Sequence, residues 1–223
     1  MKLIFSAAGF HNLLAWLLIY QLISPALLSV PSMRIAVSLL FSCVLFSAVY
    51  AINRRSKMYL WTMILMAATL LLYWIDVFNL VSFSLTASSV ILCLYLGMIV
   101  YTLSSLIFTA RRITPGLISG ALSLYLIIGM FWGTLYVLLE RIYPGSFTGD
   151  LVKYSTDHLQ FLLSFQYFSM ITLTTLGYGD IVPKTSLAAS LCQTEAIVGQ
   201  FFMAVLVARL VAIQVAGEFS AGN

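Results

Sequence analysis

Long apolar runs separated by short polar or basic segments make up most of the chain. Residues 3–33 contain no charged side chain, and five further apolar runs follow. Crossing the hydrocarbon core of a bilayer takes about 20 predominantly apolar residues in a helix. The pattern therefore predicts six transmembrane helices, at residues 3–33, 35–52, 58–75, 86–110, 117–139 and 185–215.

The segment between the fifth and sixth predicted spans divides into two parts. Residues 140–158 are polar and contain one proline and two glycines, a composition typical of an exposed loop. Residues 159–173 are apolar and then rich in threonine, and they are too short to cross a bilayer together with their loop. They predict a re-entrant half-helix, which Thr156 or Asp157 would cap at its start.

Composition supports an integral membrane protein. Apolar residues make up 62% of the 223 residues, charged residues make up 8%, and the mean hydropathy is +1.05. Soluble proteins have about a quarter of their residues charged. The predicted fold class is therefore an all-α, multi-pass protein of the plasma or inner membrane. Its net charge of +4 comes from short basic clusters between apolar runs, so it indicates topology rather than nucleic-acid binding.

The distribution of basic residues predicts the orientation. Placing the N- and C-termini in the cytoplasm puts seven basic residues inside and four outside, as the positive-inside rule favours. The inner group comprises Lys2, Arg54, Arg55, Lys57, Arg111, Arg112 and Arg209, and the outer group comprises Arg34, Arg141, Lys153 and Lys184.

Residues 172–180 read TLTTLGYGD, with two glycines that bracket a tyrosine between a threonine run and an acid. This stretch resembles the selectivity filter of potassium channels. By this resemblance the chain is identified as a member of the potassium channel family. It would be a small member with six spans and one pore loop. The likeness covers residues 113–215 well. A glycine-rich turn between two hydrophobic helices is the alternative, which the complete nonapeptide between a half-helix and a span disfavours.

The resemblance implies how ions would be held. Backbone carbonyls of Thr175, Leu176, Gly177 and Tyr178, with the Thr175 hydroxyl, would bind dehydrated K+ in stacked rings. Gly177 and Gly179 would adopt the positive φ that lets successive carbonyls face one axis. Since one chain supplies one filter strand, four chains should form a symmetric homotetramer.

Further residues would support the filter. Tyr167 and Phe168 stand where many family members have two tryptophans, and they would form an aromatic cuff. Thr174 and Asp180 flank the ion-binding residues. Ile171 replaces a glutamate that some members place behind the filter, so Asp180 would be contacted by Tyr167 or by water.

Residues of the sixth span would line the conduction path. By helical spacing Gln200, Met203 and Val207 share one face, and the resemblance turns this face toward a water-filled cavity. Gly199 is either a hinge for a gate or a glycine at a close helix contact.

One histidine, one glutamate and one arginine lie within the predicted spans. Glu195 is costly inside a span, and its role is either a structural hydrogen bond to the threonines of the half-helix or proton sensing. His11 is expected to make an interhelical hydrogen bond rather than to bind haem or a metal. Arg209 is expected to extend its charge to the membrane interface.

The fourth predicted span carries no arginine within it; Arg111 and Arg112 follow at its end. Weak or absent intrinsic voltage dependence is therefore expected. Residues 1–112 would form a four-span peripheral domain and residues 113–223 the pore domain.

The resemblance implies a potassium-selective channel. An enzyme is not expected, because Glu195 and His11 are too few groups for a catalytic site. A non-selective cation channel and a non-conducting accessory subunit remain the alternatives. No cofactor is expected apart from the permeant K+. The expected partners are three further copies of the chain and the lipid bilayer, with an unidentified regulatory subunit left open.

Overall fold

The computed structural model describes residues 7–28, 33–52, 57–78, 84–110, 113–153 and 158–221. Within these ranges the chain is mostly helical, with one pair of two-residue strands. The helices are α1 (Ala7–Leu28), α2 (Arg34–Ala51), α3 (Lys57–Val77), α4 (Ser84–Thr109), α5 (Pro115–Ile142), α6 (Asp150–Lys153), α7 (His158–Leu173) and α8 (Ser186–Ala221); the strands are β1 (Phe147–Thr148) and β2 (Val182–Pro183).

Six of the described helices, α1 to α5 and α8, are long and apolar enough to cross a membrane, which confirms the predicted number. The ends of α2, α3, α4 and α5 lie within three residues of their predicted bounds, whereas α8 continues six residues beyond its predicted end at residue 215. Five residues that carry the predicted orientation, and both candidate caps of the half-helix, lie outside the described residues. These are Lys2, Arg54, Arg55, Arg111 and Arg112, and Thr156 and Asp157.

α5 is the helix around which the others are arranged. It packs against α1, α4, α7 and α8, while α1 also packs against α2, and α4 against α3. Its start is fixed locally, because the Thr114 side chain accepts a hydrogen bond from Leu117 N at 3.1 Å and Pro115 occupies the first turn. A threonine cap followed by proline is a favourable helix start.

Small residues let α5 approach its neighbours closely. A Cβ atom at Gly133 would lie 2.8 Å from the Cα atom of Gln166, and one at Gly120 would lie 3.1 Å from the Phe10 ring. Glycines at such contacts are typical of helices packed in a membrane, where van der Waals contact replaces the hydrophobic driving force. α7 and α1 therefore lie almost against the α5 backbone.

Hydrogen bonds between helices set the rotation of α1. The Ser119 hydroxyl of α5 lies 2.7 Å from His11 Nδ1, which confirms the interhelical hydrogen bond predicted for His11. Tyr20 donates to Gln166 Oε1 of α7 at 3.0 Å. Polar contacts of this kind link transmembrane helices that are apolar on all sides, and here they tie the first span to both α5 and α7.

Of the segment predicted as an exposed loop, residues 140–158, the structure describes residues 140–153 and 158; its middle is buried and forms a strand, so the prediction is wrong there. β1 pairs with β2 in antiparallel register, Phe147 opposite Pro183, and the Phe147 side chain is buried. Glu140 folds the turn before β1, because its carboxylate accepts the N–H groups of Gly145 at 2.7 Å and of Phe147 at 2.9 Å. Polarity therefore reflects local hydrogen bonding here rather than full exposure.

Arg209 on α8 binds the end of α4; the expectation that its charge reaches the membrane interface stays a prediction. Its guanidinium donates to Phe108 O and, at 2.7 Å, to Ala110 O, and it also lies over the Phe108 ring at 5.7 Å. The last carbonyls of a helix lack intrahelical partners and carry partial negative charge. A cation there caps α4 and fixes it to α8.

Replacing Arg209 with Gln should weaken the contact between α4 and α8, because the charged donor to two helix-end carbonyls is lost. The expected loss is about 2 kcal/mol of unfolding free energy, measured as a lower midpoint of thermal unfolding in detergent. Arg209→Lys keeps the charge but not the two-pronged geometry, and should give an intermediate midpoint. Equal midpoints for all three proteins would contradict this role.

Candidate functional site

The segment after α7 begins at a Schellman-type helix end. Thr175 N donates to Thr172 O at 2.9 Å, and Leu176 N donates to Ile171 O at 2.8 Å. Thr175 itself has a φ of 59°, at the position that glycine usually fills in this motif. Left-handed backbone is unfavourable for a β-branched residue. Thr175 is therefore held in a strained conformation that directs the chain out of the helix.

Left-handed backbone recurs at every second residue of this segment. The φ angles are 59° at Thr175, 53° at Gly177 and 79° at Gly179. The positive φ predicted for the two glycines is thus confirmed, and the one at Thr175 was not predicted. A Cβ atom on Gly177 or Gly179 would meet no atom within 4 Å. The backbone conformation, rather than the space, is what requires glycine at these positions.

The far end of the segment is fastened to the connection between α5 and α7. Lys184 N donates to Ser146 O at 2.7 Å, next to the pairing of β1 with β2. Gly149, at a φ of 155°, lies so close that a Cβ atom there would collide with the Asp180 carbonyl. A glycine is therefore needed where this connection passes the end of the segment.

Asp180 is bound on two sides. Tyr167 donates its hydroxyl to Asp180 Oδ2 at 2.8 Å, and Ile181 N donates to Oδ1 at 3.1 Å. The contact predicted between Tyr167 and Asp180 is therefore present. Partial burial raises the pKa of Tyr167 to about 12, and its hydrogen bond to the negatively charged Asp180 adds to the shift. Tyr167 therefore keeps its proton, and this contact, at physiological pH.

Phe168 belongs to an aromatic cluster inside the chain. Its ring centre lies 5.3 Å from that of Tyr136 and 5.6 Å from that of Phe147, and Phe147 also contacts Phe165 at 5.1 Å. The cluster joins α5, β1 and α7. Of the two residues predicted to form a cuff, Tyr167 binds the end of the 172–180 segment and Phe168 packs against α5.

The last turn of α7 lies between α5 and α8. Tyr125 of α5 donates to Leu173 O at 3.3 Å, and a Cβ atom at Gly199 of α8 would collide with the same carbonyl. α8 continues as one helix through Gly199. The close contact predicted as one alternative for Gly199 is present, because it lets α8 touch the end of α7; the hinge role stays a prediction.

Glu195 is fully buried between three helices. Tyr136 of α5 lies 2.5 Å from its Oε2 atom, and Ser169 of α7 contacts its Oε1 atom. The predicted partners, threonines of the half-helix, are wrong. Thr172 and Thr174 instead donate to Phe168 O and Met170 O of their own helix, each at 2.8 Å.

The side of α8 that carries Gln200, Met203 and Val207 is exposed in the single chain, as the shared face requires. Gln200 Nε2 donates to the Thr175 hydroxyl at 3.4 Å. This face of α8 therefore adjoins the beginning of the 174–180 segment.

The segment itself has little cover within one chain. Residues 174–180 are all exposed, with Leu176 at 55% and Tyr178 at 67%. About two thirds of the Tyr178 side chain is uncovered in the single chain, so further cover for its ring would have to come from another copy.

The sequence analysis missed three residues that hold the site: Tyr125, Tyr136 and Ser169. The two tyrosines lie in an apolar span and give no periodic signal. Ser169 is a small polar residue in an aromatic and apolar run next to the threonines, and this contrast could have singled it out as a partner of Glu195.

Comparisons with known proteins find similarity in this region of the chain. A family described as Ion channel matches residues 121–215, which include most of α5, all of α7 and most of α8. The potassium channel protein kcv of Paramecium bursaria Chlorella virus 1 is 33% identical over 76 residues, which are 34% of this chain and 80% of that protein. No solved structure matches the chain.

The matched residues contain the whole 172–180 segment and the helices that hold it. The six apolar helices and the ion-channel match together make this a multi-pass membrane protein. It is a channel rather than an enzyme, and the chain belongs to the potassium channel family.

Proposed function

We propose that the protein conducts K+ selectively through a pore formed by four copies of the chain. The ion would be held by the backbone carbonyls of Thr175, Leu176, Gly177 and Tyr178, with the Thr175 hydroxyl at the inner end. Gly179 and Asp180 complete the outer end of this filter, and Thr174 its inner flank. No cofactor takes part.

The alternation of backbone conformation carries the proposal. Positive φ at Thr175, Gly177 and Gly179, with Leu176 and Tyr178 between them outside that region, is the arrangement that turns successive carbonyls toward one side. Carbonyl oxygens are neutral ligands that can replace water around K+ without holding the ion too tightly to leave. Such a strand has a use in an ion path and none in a packed core.

The electrostatics near the strand favour a cation without an ionised ligand. α7 ends at residue 173, and the C-terminal end of a helix carries partial negative charge. Asp180 at the other end is engaged by Tyr167 and Ile181 N. It would set the potential at the outer mouth rather than bind the ion.

Exposure of the strand supports a closed assembly of four chains. One chain supplies one row of carbonyls and leaves Leu176 and Tyr178 uncovered. Four rows around an axis would complete the rings, and a symmetric arrangement would place each Tyr178 ring against a neighbouring copy. Gln200, Met203 and Val207 would then face a cavity below the filter.

The remaining chain would surround this pore. Residues 1–112 form a peripheral domain in lipid, and residues 113–223 the pore domain, with both termini in the cytoplasm. α4 contains no arginine from Ser84 to Thr109, which supports weak or absent intrinsic voltage dependence. A regulatory subunit is a further expected partner of this assembly.

A non-selective cation channel and a non-conducting accessory subunit are the competing functions. Neither function requires the filter strand to hold one fixed conformation. The fastening of the strand at both ends, through Leu173 O and Asp180, favours a selective filter over either.

Purified protein in liposomes should pass K+ far better than Na+ when the two gradients are compared. Gly177→Ala or Gly179→Ala should abolish K+ flux, because an L side chain disfavours the left-handed backbone although it has space there. Gly145→Ala is a matched control, since Gly145 also has a positive φ and open space but lies in the turn before β1, outside residues 172–180; it should keep its flux.

Tetramer content, measured by crosslinking, should be the same in all of these proteins. Equal flux of Na+ and K+ would support the non-selective channel. An absence of flux from an intact wild-type tetramer at any voltage would support the accessory subunit.

Tyr167→Phe removes the donor to Asp180 and keeps the ring. The hydrogen bond is exposed, so about 1 kcal/mol of stability should be lost, and K+ flux should decay faster after opening because the outer end of the filter is less fixed. Tyr143→Phe, at an exposed tyrosine beyond α5, is the control. Identical decay in the two variants would exclude this role for Tyr167.

A further inference from the structure

The hydrogen bonds around the buried Glu195 carboxyl group require a definite number of hydrogen atoms. Three pairs of oxygen atoms lie at hydrogen-bond distance: Tyr136 with Glu195 Oε2 at 2.5 Å, Ser169 with Glu195 Oε1, and Ser169 with the carbonyl of Gly129 at 2.6 Å. Each pair needs one hydrogen atom between its oxygens. The tyrosine and the serine each carry one, and the carbonyl carries none.

The third hydrogen has one available source. Glu195, Ser169 and Tyr136 each have no exposed surface, so bulk water does not complete the set. If Glu195 were ionised, the single hydrogen of the Ser169 hydroxyl would face two acceptors, Glu195 Oε1 and the carbonyl of Gly129. One of these two oxygen–oxygen contacts would then have no hydrogen atom between its oxygens. We infer that Glu195 is held as the neutral carboxylic acid and, in that form, positions the end of α7 behind the filter.

The neutral acid gives one directed series of hydrogen bonds. Tyr136 donates to Glu195 Oε2, Glu195 donates from Oε1 to Ser169, and Ser169 donates to the carbonyl of Gly129. The Cys192 thiol interacts with Tyr136 and can donate its own hydrogen to the phenol oxygen. Every member of the series is then satisfied.

The series connects all three helices of the proposed pore. It begins and ends on α5, at Tyr136 and Gly129, and passes through α8 and α7. Ser169 lies one turn before Leu173, whose carbonyl contacts Tyr125 and Gly199. A change at Glu195 would therefore reach the helix end from which the filter strand starts.

Removal of the proton would break this series. An ionised Glu195 would leave Ser169 unable to serve both acceptors, and would place an uncompensated charge inside the protein. The titratable groups that face Glu195 are Tyr136 and Tyr125 from α5 and Cys192 from α8; α7 contributes the Ser169 hydroxyl. These groups are uncharged when protonated, so they offer the carboxylate no counter-charge. The conducting arrangement should therefore be lost at alkaline pH.

Infrared spectroscopy of the whole protein in lipid tests the protonation directly. At neutral pH the wild type should show the carbonyl band of a protonated carboxylic acid, and Glu195→Gln should remove it. Glu140→Gln is the matched control, because the Glu140 carboxylate accepts two backbone N–H groups and needs no proton. A spectrum unchanged by Glu195→Gln would overturn the inference.

A second variant keeps the test decisive if Glu195→Gln does not assemble. Tyr136→Phe retains the acid but removes the donor to Oε2, so the same band should shift to higher frequency. A band at the wild-type position would overturn the assignment.

The positioning role rests on the proposed function and is tested by the pH profile of K+ flux. Wild-type flux should be lost as the pH becomes alkaline. Glu195→Gln should conduct at neutral pH without this loss, because its amide can donate to Ser169 and accept from Tyr136 at any pH. Glu195→Ala should lose flux throughout. The same alkaline loss in Glu195→Gln would refute the role.

The two proposals fail separately. An absence of K+ flux from every protein would refute the channel function and leave the infrared result standing, since that measurement needs no conduction.

Discussion

The position of the last turn of α7 is the constraint on which the proposed filter depends. Its terminal carbonyl, Leu173 O, is contacted by Tyr125 from α5 and by the backbone of α8 at Gly199. Two residues later, Thr175 adopts a left-handed backbone conformation. The conformational strain at this residue must be offset by surrounding contacts. The start of the strand is thus fixed by three packed helices at Leu173 O, and its further course depends on the positive φ that Gly177 and Gly179 tolerate.

The hydrogen bonds of Glu195 and the hydrogen bond between Tyr167 and Asp180 lie near opposite ends of the proposed filter strand. Glu195 joins α8 to α5 and α7 one turn before the strand begins, and Asp180 is held by Tyr167 where the strand ends. A conformational change in either place would alter how the carbonyls face the axis. A change at either end would therefore reach the proposed filter strand, while α8 runs as one helix through Gly199.

Hydropathy was sufficient to predict the six long helices, because crossing a bilayer depends on length and composition. The positive φ at Gly177 and Gly179 was also predictable, since glycine tolerates it. The partners of Glu195 were not, because they depend on the rotation of each helix, and the nearby threonines are satisfied by their own helix. Thr175 shows the same limit: its strain is set by the helix end that it closes.

In the proposed channel, backbone carbonyls of four chains bind the permeant ion. The most direct test is a structure of the assembled protein with Tl+ in place of K+, in which the heavy ion is located by its scattering. The account predicts four-fold symmetry and density on the axis level with the carbonyls of residues 175–178. Tl+ bound at the carboxylates of Asp180 or Glu195 with an empty axis, or an assembly without four-fold symmetry, would contradict it.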